Sequence, residues 1–179
     1  MPGQTADKWY ALHTRSNFEK RIVTELSAKG IENFLPCYDE VHQWKDRKQK
    51  VSVPLFPGYV FSRLDESSGA RLSVLRTAGV VRILGDSGGI EPVPDEQIEA
   101  IRILLRSKLP CLAYPFLREG CWVRVRRGPL AGVEGILVRA KGEARLVISV
   151  SMLSQSVAVE VDSCNVEPVM RADSKDKRA

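Results

Sequence analysis

The sequence predicts an α+β fold, in which a region of mixed strands and helices precedes a small region of strands only. Two observations lead to this class. Before residue 107, apolar residues recur at helical spacing in two stretches that lie between strand-like runs. After residue 120, short strand-like runs follow one another with turn residues between them. A chain of 179 residues is long enough for the two regions to be separate small domains.

The first region begins with a strand and a helix. Residues 8–14 are mainly apolar and end in polar residues, which predicts a strand. Ser16 and Glu19 have the spacing of a capping box, in which the serine hydroxyl accepts from the glutamate amide and the glutamate side chain reaches back. Gly30 is suited to a left-handed C-terminal cap. We therefore predict a helix over 16–29.

The rest of this region alternates strands, turns and helices. Its predicted elements are an extended run 31–44, a polar turn 45–50, a strand-like run 51–64, a short helix 66–75, a strand 80–84 and a turn 85–89. Pro94 opens a last helix, whose apolar face carries Ile98, Ile101 and Leu105.

The hydrophobic period breaks over 108–119, which predicts a linker between a first domain of 8–107 and a second of 120–169. A flexible tail of 170–179 follows. The second domain is expected to be a small closed barrel of five strands. These strands are predicted at about 121–127, 133–139, 144–151, 156–161 and 164–168.

A glycine-rich turn joins the first two strands of the barrel. Gly128, Gly132 and Gly135 permit a tight turn and a close backbone approach that a Cβ would block. Leu130 is placed to pack into the barrel. The inward-facing positions of the flanking strands are expected to be Val123, Val125, Ile136 and Val138.

Composition excludes several classes of protein. The net charge is +5, and residues 1–110 carry 16 Lys and Arg against 14 Asp and Glu, so the chain is not a polybasic nucleic-acid binder. No apolar run approaches the roughly 20 residues that span a bilayer. The first eight residues have no apolar signal core, so a cytoplasmic location is expected. The four cysteines lack metal-site spacing and are expected to be reduced packing residues.

No set of residues indicates catalysis. His13 and His42 are the only histidines, and neither has a Cys or Asp in a nucleophile motif. Glycine-rich spots lack the pattern of a phosphate-binding loop. We therefore expect neither an enzyme, nor a cofactor, nor a metal site.

Three segments carry a resemblance to a known family. They are Trp9-Tyr10-Ala11-Leu12, the run Leu-Phe-Pro-Gly-Tyr-Val-Phe at 55–61, and the run from Val123 to Gly135. In this order they resemble the two halves of a NusG-type transcription elongation factor, the NusG N-terminal domain and a KOW domain. The resemblance covers residues 8 to about 169 and implies a monomer. Its implied fold is an antiparallel sheet flanked by helices, followed by a five-stranded SH3-like barrel.

The resemblance implies a docking surface for RNA polymerase. In the family, an aromatic surface of the N-terminal domain docks onto the clamp helices of the polymerase. The matching positions here are His13, Phe56, Pro57, Tyr59 and Leu84. Alternation along the strand predicts that Phe56 and the ring of Tyr59 are partly exposed, with Phe61 inward. Alternatively, all these aromatics fill the core.

The resemblance also implies contact with nucleic acid. In specialised NusG paralogues of the RfaH kind, matching surfaces touch the displaced non-template DNA strand at the transcription bubble. The basic residues at such positions are Arg15, Lys20, Arg21, Lys29, Lys45, Arg47 and Lys48. For any one of them, a solvated charged face is the simpler explanation. We expect weak DNA contact from the group.

A second protein contact is implied for the KOW domain. In the family, a loop of this domain contacts the ribosomal protein NusE or the termination factor Rho. Met152 and Leu153 match that loop, although the family's usual aromatic residue is absent. An apolar pair among Ser and Gln residues resembles an exposed tip. Alternatively, the two side chains fill the barrel.

The finer motif details are most similar to the UpxY branch of NusG paralogues, which serve long operons, often for surface polysaccharides. They include Asp46-Arg47-Lys48 and Gly135-Ile136-Leu137-Val138. This resemblance implies a factor that binds RNA polymerase, suppresses pausing and promotes read-through. One alternative is a general NusG that acts on all genes with Rho or the ribosome. Another is a KOW-type RNA-binding or ribosome-associated protein with an unrelated first domain.

Overall fold

The computed structural model describes residues 7–43, 48–65, 69–86, 89–109, 111–114, 121–140, 143–150 and 153–169. The chain divides into two compact units. One comprises Met1–Glu99 with Ser151–Leu153, and the other comprises Ala100–Val150 with Ser154–Ala179. The predicted α+β class is confirmed, with an antiparallel sheet and helices followed by a separate antiparallel sheet.

The first unit is built on an antiparallel sheet whose central strand is β1. Its elements, in chain order, are β1 (Lys8–Thr14), α1 (Glu19–Ala28), β2 (Asn33–Phe34), β3 (Cys37–Gln43), β4 (Lys48–Pro54), β5 (Tyr59–Leu64), α2 (Ala70–Leu75), β6 (Val80–Ile83), β7 (Gly85–Asp86), β8 (Gly89–Ile90) and β9 (Pro92–Val93). The sheet order is β2-β5-β1-β6, and β9 also pairs with β1. Strands β3 and β4 form a separate hairpin, as do β7 and β8.

Strand β1 is buried on both faces. Trp9, Tyr10, Ala11 and Leu12 are each at most 3% exposed. On the face that carries Tyr10 and Leu12, the core contains residues of both helices, including Ile22 of α1. On the other face, aromatic rings meet in a series, because Trp9 and Phe61 each contact Phe34. Because both faces of the central strand are buried, its residues 9–12 are all apolar and do not alternate between apolar and polar side chains.

The helix α1 begins at Glu19, and the predicted capping box does not form. The N-cap residue is Phe18, which makes no side-chain cap hydrogen bond. Asn17 has a positive φ of 65°, so the chain turns sharply before the helix. The C-terminal cap is as predicted: Gly30 has φ +72°, and the Ile31 amide donates to the Leu26 carbonyl at 3.0 Å.

The last helix, α3 (Asp95–Ser107), contains the division between the two units. Its buried residues include Ile98, Ile101 and Leu104, whereas the predicted Leu105 is half-buried. The buried face is therefore shifted by one position at its C-terminal end. No helix in the described part of the chain is long and apolar enough to cross a membrane.

The second unit contains the five predicted strands and one more. They are β10 (Cys111–Tyr114), β11 (Cys121–Val125), β12 (Glu134–Ala140), β13 (Glu143–Val150), β14 (Gln155–Glu160) and β15 (Val166–Pro168). All pair antiparallel in the order β10-β14-β13-β12-β11-β15. The extra strand β10 lies in the segment predicted as a linker, where its backbone pairs with β14. Residues 115–119 of that segment, and the predicted tail, lie outside the described residues.

The glycine-rich turn leads from β11 into β12 much as predicted. Gly128 and Gly132 have φ of +93° and +86°, a region that L side chains rarely adopt. Leu130 is 2% exposed and packs inward. Gly135 is required for a different reason, because an ideal Cβ there would lie 2.5 Å from the Val147 carbonyl oxygen. A neighbouring strand therefore approaches β12 too closely for any side chain at this position.

We predict that Gly135→Val destabilises the second unit by about 3 kcal/mol, because the added side chain must push β12 and β13 apart. Gly132→Ala is the matched control. It meets no heavy atom within 4 Å but keeps an unfavourable φ, so it should cost only about 1 kcal/mol. Denaturant unfolding followed by amide NMR signals measures both.

The first unit should keep its stability in Gly135→Val, since two small domains unfold as separate cooperative units. One unfolding transition shared by both regions would contradict this expectation.

Candidate docking surface and nucleic-acid face

Three side chains form a row across three strands at one end of the first sheet. His13 of β1 lies opposite Tyr59 of β5 on one side and opposite Arg82 of β6 on the other. Directly opposed residues on neighbouring strands share a face of the sheet. The His13 and Tyr59 rings are in contact, with centroids 5.5 Å apart and planes tilted by 39°. We call Tyr59, His13 and Arg82 the docking row.

The docking row lies where the buried central strand reaches solvent. His13 and Tyr59 are half-buried, and Arg82 is exposed. Pro57, which comes two residues before Tyr59, is also exposed. Aromatic rings with one buried and one accessible side are frequent anchors of protein–protein contacts, because they offer a large rigid area. The arrangement therefore fits a contact with another protein.

Two of the predicted docking residues are buried, which corrects the expectation that they are accessible. Phe56 is 1% exposed and meets Phe61 edge-on, with ring centroids 6.3 Å apart. The strand alternation used for the prediction does not apply to Phe56, because this residue lies in the turn before β5. Leu84 is 7% exposed, and its amide donates to the Ala11 carbonyl at 2.8 Å. Both side chains are therefore buried rather than available for contact with a partner.

The turn from Phe56 to Tyr59 has a defined type. The Tyr59 amide donates to the Phe56 carbonyl at 3.2 Å, with Pro57 and Gly58 in the central positions. Gly58 has φ +81°, which identifies a type II turn. Both backbone groups of Gly58 have partners outside the turn. Its carbonyl accepts from the Thr14 amide at 2.8 Å, and its amide donates to Glu19 Oε1 at 2.8 Å.

Most of the described basic residues predicted to bind nucleic acid have partners within the protein. Lys20 Nζ donates to the Ser52 carbonyl at 3.0 Å. Arg21 pairs with Glu25 at 3.0 Å, on the exposed surface of α1. Such contacts compete with phosphate binding for the same donors. Arg21 keeps a largely accessible side chain and can exchange its partner at little cost.

Among these basic residues, Lys29 has a side chain whose ammonium group makes two hydrogen bonds within the protein. Its Nζ donates to the Thr77 hydroxyl at 2.6 Å and to the Ser73 carbonyl at 3.1 Å. Thr77 is 2% exposed and itself donates to that carbonyl. The ammonium group therefore sits at the C-terminal end of α2, where the helix dipole favours a cation.

Arg15 is exposed and makes no ion pair with a described residue. It is thus the described member of the predicted nucleic-acid group with the freest side chain. Lys45 and Arg47 lie outside the described residues. Lys48 is the first residue of β4, and only its backbone is described.

The predicted partner-contact loop lies between β13 and β14. Met152 lies outside the described residues. Leu153 is 6% exposed, which corrects its placement on an exposed tip. Ser154, the next residue, is exposed and has φ +49°. At the base of this hairpin, the Ser149 and Ser156 hydroxyls hydrogen-bond across the strands at 2.7 Å.

The described residues contain no group of three or more His, Cys, Asp and Glu side chains that could bind a metal ion. Burial raises the pKa of the Cys37 thiol, which disfavours the reactive thiolate. Cys121 and Cys164 are exposed, so the expectation that the cysteines are packing residues is wrong for these two.

Comparison with known proteins identifies the family. A family sequence profile described as "Transcription termination factor nusG" matches residues 7–102, more than half of the chain. The chain belongs to the NusG family. The predicted family resemblance is therefore confirmed, and the family is one of transcription termination and antitermination factors.

Similar NusG proteins align along nearly their full length. The "Transcription termination/antitermination protein NusG" of Pasteurella multocida is 31% identical over 179 residues, covering 91% of this chain and 96% of that protein. The protein of the same name from Thermus thermophilus is 31% identical over 181 residues, covering 89% and 97%. A solved structure, "Domain interaction in Thermotoga maritima NusG", matches with a TM-score of 0.51 at 20% identity, covering 94% and 100%. The last likeness concerns the fold alone.

Two features of this NusG-family site were not found from the sequence. Arg82 was missed because its position opposite His13 follows from the register of β6, which a β-bulge near Thr14 shifts. The contact of Glu19 with Gly58 was missed because Glu19 also fits a capping box. A glutamate in the first turn of a helix is compatible with both uses, and only the fold distinguishes them.

We predict that Lys29→Ala lowers the stability of the first unit by about 1 kcal/mol, since it removes two hydrogen bonds at the end of α2. Arg15→Ala is the matched control and should be within about 0.5 kcal/mol of the wild type, as for a surface residue without partners. Thermal unfolding measures both. Equal stability of the two variants would show that the Lys29 contacts contribute nothing.

Proposed function

We propose that this NusG-family protein binds RNA polymerase through the docking row and Pro57. The half-buried aromatic pair at the end of the buried central strand carries this proposal, because it offers apolar anchors for the clamp helices. Arg82 extends the same face with a cation that has no ion-pair partner among the described residues. A carboxylate on the polymerase opposite Arg82 would add orientation and specificity to the contact.

The proposed activity is the suppression of pausing. A protein that binds the closed state of polymerase better than the open, paused state shifts the equilibrium toward the closed state by its difference in affinity. A tenfold difference corresponds to about 1.4 kcal/mol. Bridging the clamp and the opposite wall of the DNA channel would provide that difference. Read-through of long operons follows from less frequent pausing.

The KOW domain is proposed to recruit a second partner, NusE or Rho, on a tether that raises the local concentration of that partner. Met152 is the proposed apolar contact. Leu153 is buried, so it contributes only if the loop rearranges on binding, and the exposed Ser154 is the adjacent polar contact.

Weak contact with non-template DNA is proposed for Arg15, for Arg21 and for the basic residues at 45–48. Docking to polymerase would place these side chains near the upstream edge of the bubble, where few phosphate contacts suffice. Lys20 and Lys29 are less suited to this contact, because their ammonium groups already donate to the protein.

We further propose that the protein is a specialised paralogue of the UpxY kind, acting in the cytoplasm on long operons such as those for surface polysaccharides. The similarity of residues 46–48, 53–61 and 135–138 to that branch supports this. The alternative is a general NusG that acts on all genes with Rho or the ribosome. A KOW-type ribosomal protein is disfavoured, since the family match covers the first unit.

We predict that chromosome occupancy of this protein, mapped beside that of RNA polymerase, is confined to one or a few long operons. A specialised paralogue must be recruited at particular sites, whereas a general factor follows polymerase everywhere. A chain carrying Tyr59→Ala, expressed at the same level, controls for occupancy that does not depend on docking. Occupancy proportional to polymerase over all genes would instead establish the general NusG function.

We predict that Tyr59→Ala weakens polymerase binding by about 1–3 kcal/mol and leaves the fold stable, because the ring is an interface anchor with one accessible side. Phe56→Ala should instead destabilise the first unit by about 3–5 kcal/mol, as expected for a buried phenylalanine. Affinity for purified polymerase and thermal unfolding separate the two effects. Unchanged affinity in a folded Tyr59→Ala protein would refute the docking surface.

A further inference from the structure

We propose that Glu19 is a positioning residue for polymerase docking, which fixes the conformation of the Phe56–Tyr59 turn from the first turn of α1. This inference rests on the proposed docking function. It concerns a side chain that touches no part of the proposed interface itself. Its carboxylate acts through the backbone of Gly58.

The contact between Glu19 and Gly58 is direct and partly buried. Glu19 is 6% exposed although it is a charged residue, and it is one of three buried residues of α1 together with Ile22 and Leu26. Its Oε1 accepts the Gly58 amide proton at 2.8 Å. Carboxylates are seldom buried without a specific partner, since burial removes their hydration. The position at the N-terminal end of α1 also favours a negative charge through the helix dipole.

The amide that Glu19 binds is the one that defines the type of the turn. Types I and II differ mainly by a reversal of the peptide between the two central residues, here Pro57 and Gly58. That reversal would turn the Gly58 amide away from Glu19 and break the hydrogen bond. The carboxylate therefore favours the type II form, which agrees with the φ of +81° at Gly58.

The segment around the turn is fixed at further points. The Gly58 carbonyl accepts from the Thr14 amide at 2.8 Å, which ties the turn to the end of β1. Lys20, the residue after Glu19, donates to the Ser52 carbonyl of β4 at 3.0 Å. The first turn of α1 thus contacts the chain before and within the turn, and it sets how Pro57 and Tyr59 are presented. A surface ordered before binding loses less conformational entropy on docking.

The test compares Glu19→Ala, Glu19→Gln and the control Glu25→Ala, which lies on the same helix and does not contact the turn. Three quantities are measured on the full chain: thermal unfolding, the hydrogen-exchange rate of the Gly58 amide, and the Kd for purified RNA polymerase without nucleic acid. Glutamine keeps an oxygen acceptor and alanine does not. A residue that contributed only overall stability would not alter Gly58 exchange selectively.

We expect Glu19→Ala to accelerate Gly58 exchange more than tenfold relative to neighbouring amides and to weaken polymerase binding about tenfold. Glu19→Gln should restore both to within about threefold of the wild type, and Glu25→Ala should leave both unchanged. If Gly58 exchange or the Kd is the same in Glu19→Ala as in the wild type, the inference is wrong. Failure of glutamine to restore binding in a folded protein also overturns it.

A second pair of variants tests the same turn if Glu19→Ala does not fold. Gly58→Ala retains the amide and has space for a Cβ, whose nearest neighbour would be the Thr14 carbonyl oxygen at 3.9 Å. It disfavours the positive φ, whereas Gly58→Asn tolerates it. We expect weaker polymerase binding for alanine than for asparagine. Equal binding of both variants would show that the turn type does not matter.

These outcomes are distinguishable from failure of the proposed function. If the wild-type protein does not bind polymerase, or Tyr59→Ala binds as well as the wild type, the docking proposal fails whatever the Glu19 variants do. If Tyr59→Ala weakens binding and Glu19→Ala does not, the docking surface stands and the positioning role of Glu19 is refuted.

Discussion

The register of β1 against its neighbours is the constraint on which the candidate site depends. β1 pairs with β5, β6 and β9, and four consecutive residues of it are buried on alternating faces. A shift of one residue would exchange the faces of the whole strand, moving Tyr10 and Leu12 away from the helix-covered core. It would also separate His13 from Tyr59 and Arg82. Burial of β1 therefore fixes the docking row, although the row itself is partly exposed.

Much of the fold was predictable because its local signals agree with its tertiary structure. Strand β1 has the predicted limits, the Gly30 cap forms, and all five strands of the second domain are present within a few residues of their predicted positions. The predicted capping box does not form, and the Glu19 carboxylate instead accepts a hydrogen bond from the Gly58 amide. Gly58 is distant in sequence, so the local pattern does not reveal this partner. Strand β10 was missed because its apolar residues show no period and lie between prolines.

The candidate site was less predictable, since accessibility there depends on the turn rather than on strand alternation. The family resemblance assigned both His13 and Tyr59 to the docking surface, and their rings are in contact. Phe56 was assigned outward because the residues before β5 were treated as part of a strand. In the structure, the type II turn reverses the chain at Pro57 and Gly58, and Phe56 packs on Phe61. Gly58 in this turn hydrogen-bonds to Thr14 and Glu19, which are distant in sequence.

The basic residues of the first unit illustrate why charge counts overestimate nucleic-acid binding. Lys20 and Lys29 use their ammonium groups as structural donors to backbone carbonyls, and Arg21 is paired with Glu25. Arg15 has an exposed side chain without such a partner. Because few of the described residues in the predicted nucleic-acid group have available cations, that group should release few counterions and bind duplex DNA in solution weakly and with little dependence on salt. Under the proposed function, contact with the non-template strand requires that another interaction first bring the protein to the bubble. We propose that the docking row provides that interaction, so that polymerase binding precedes DNA contact.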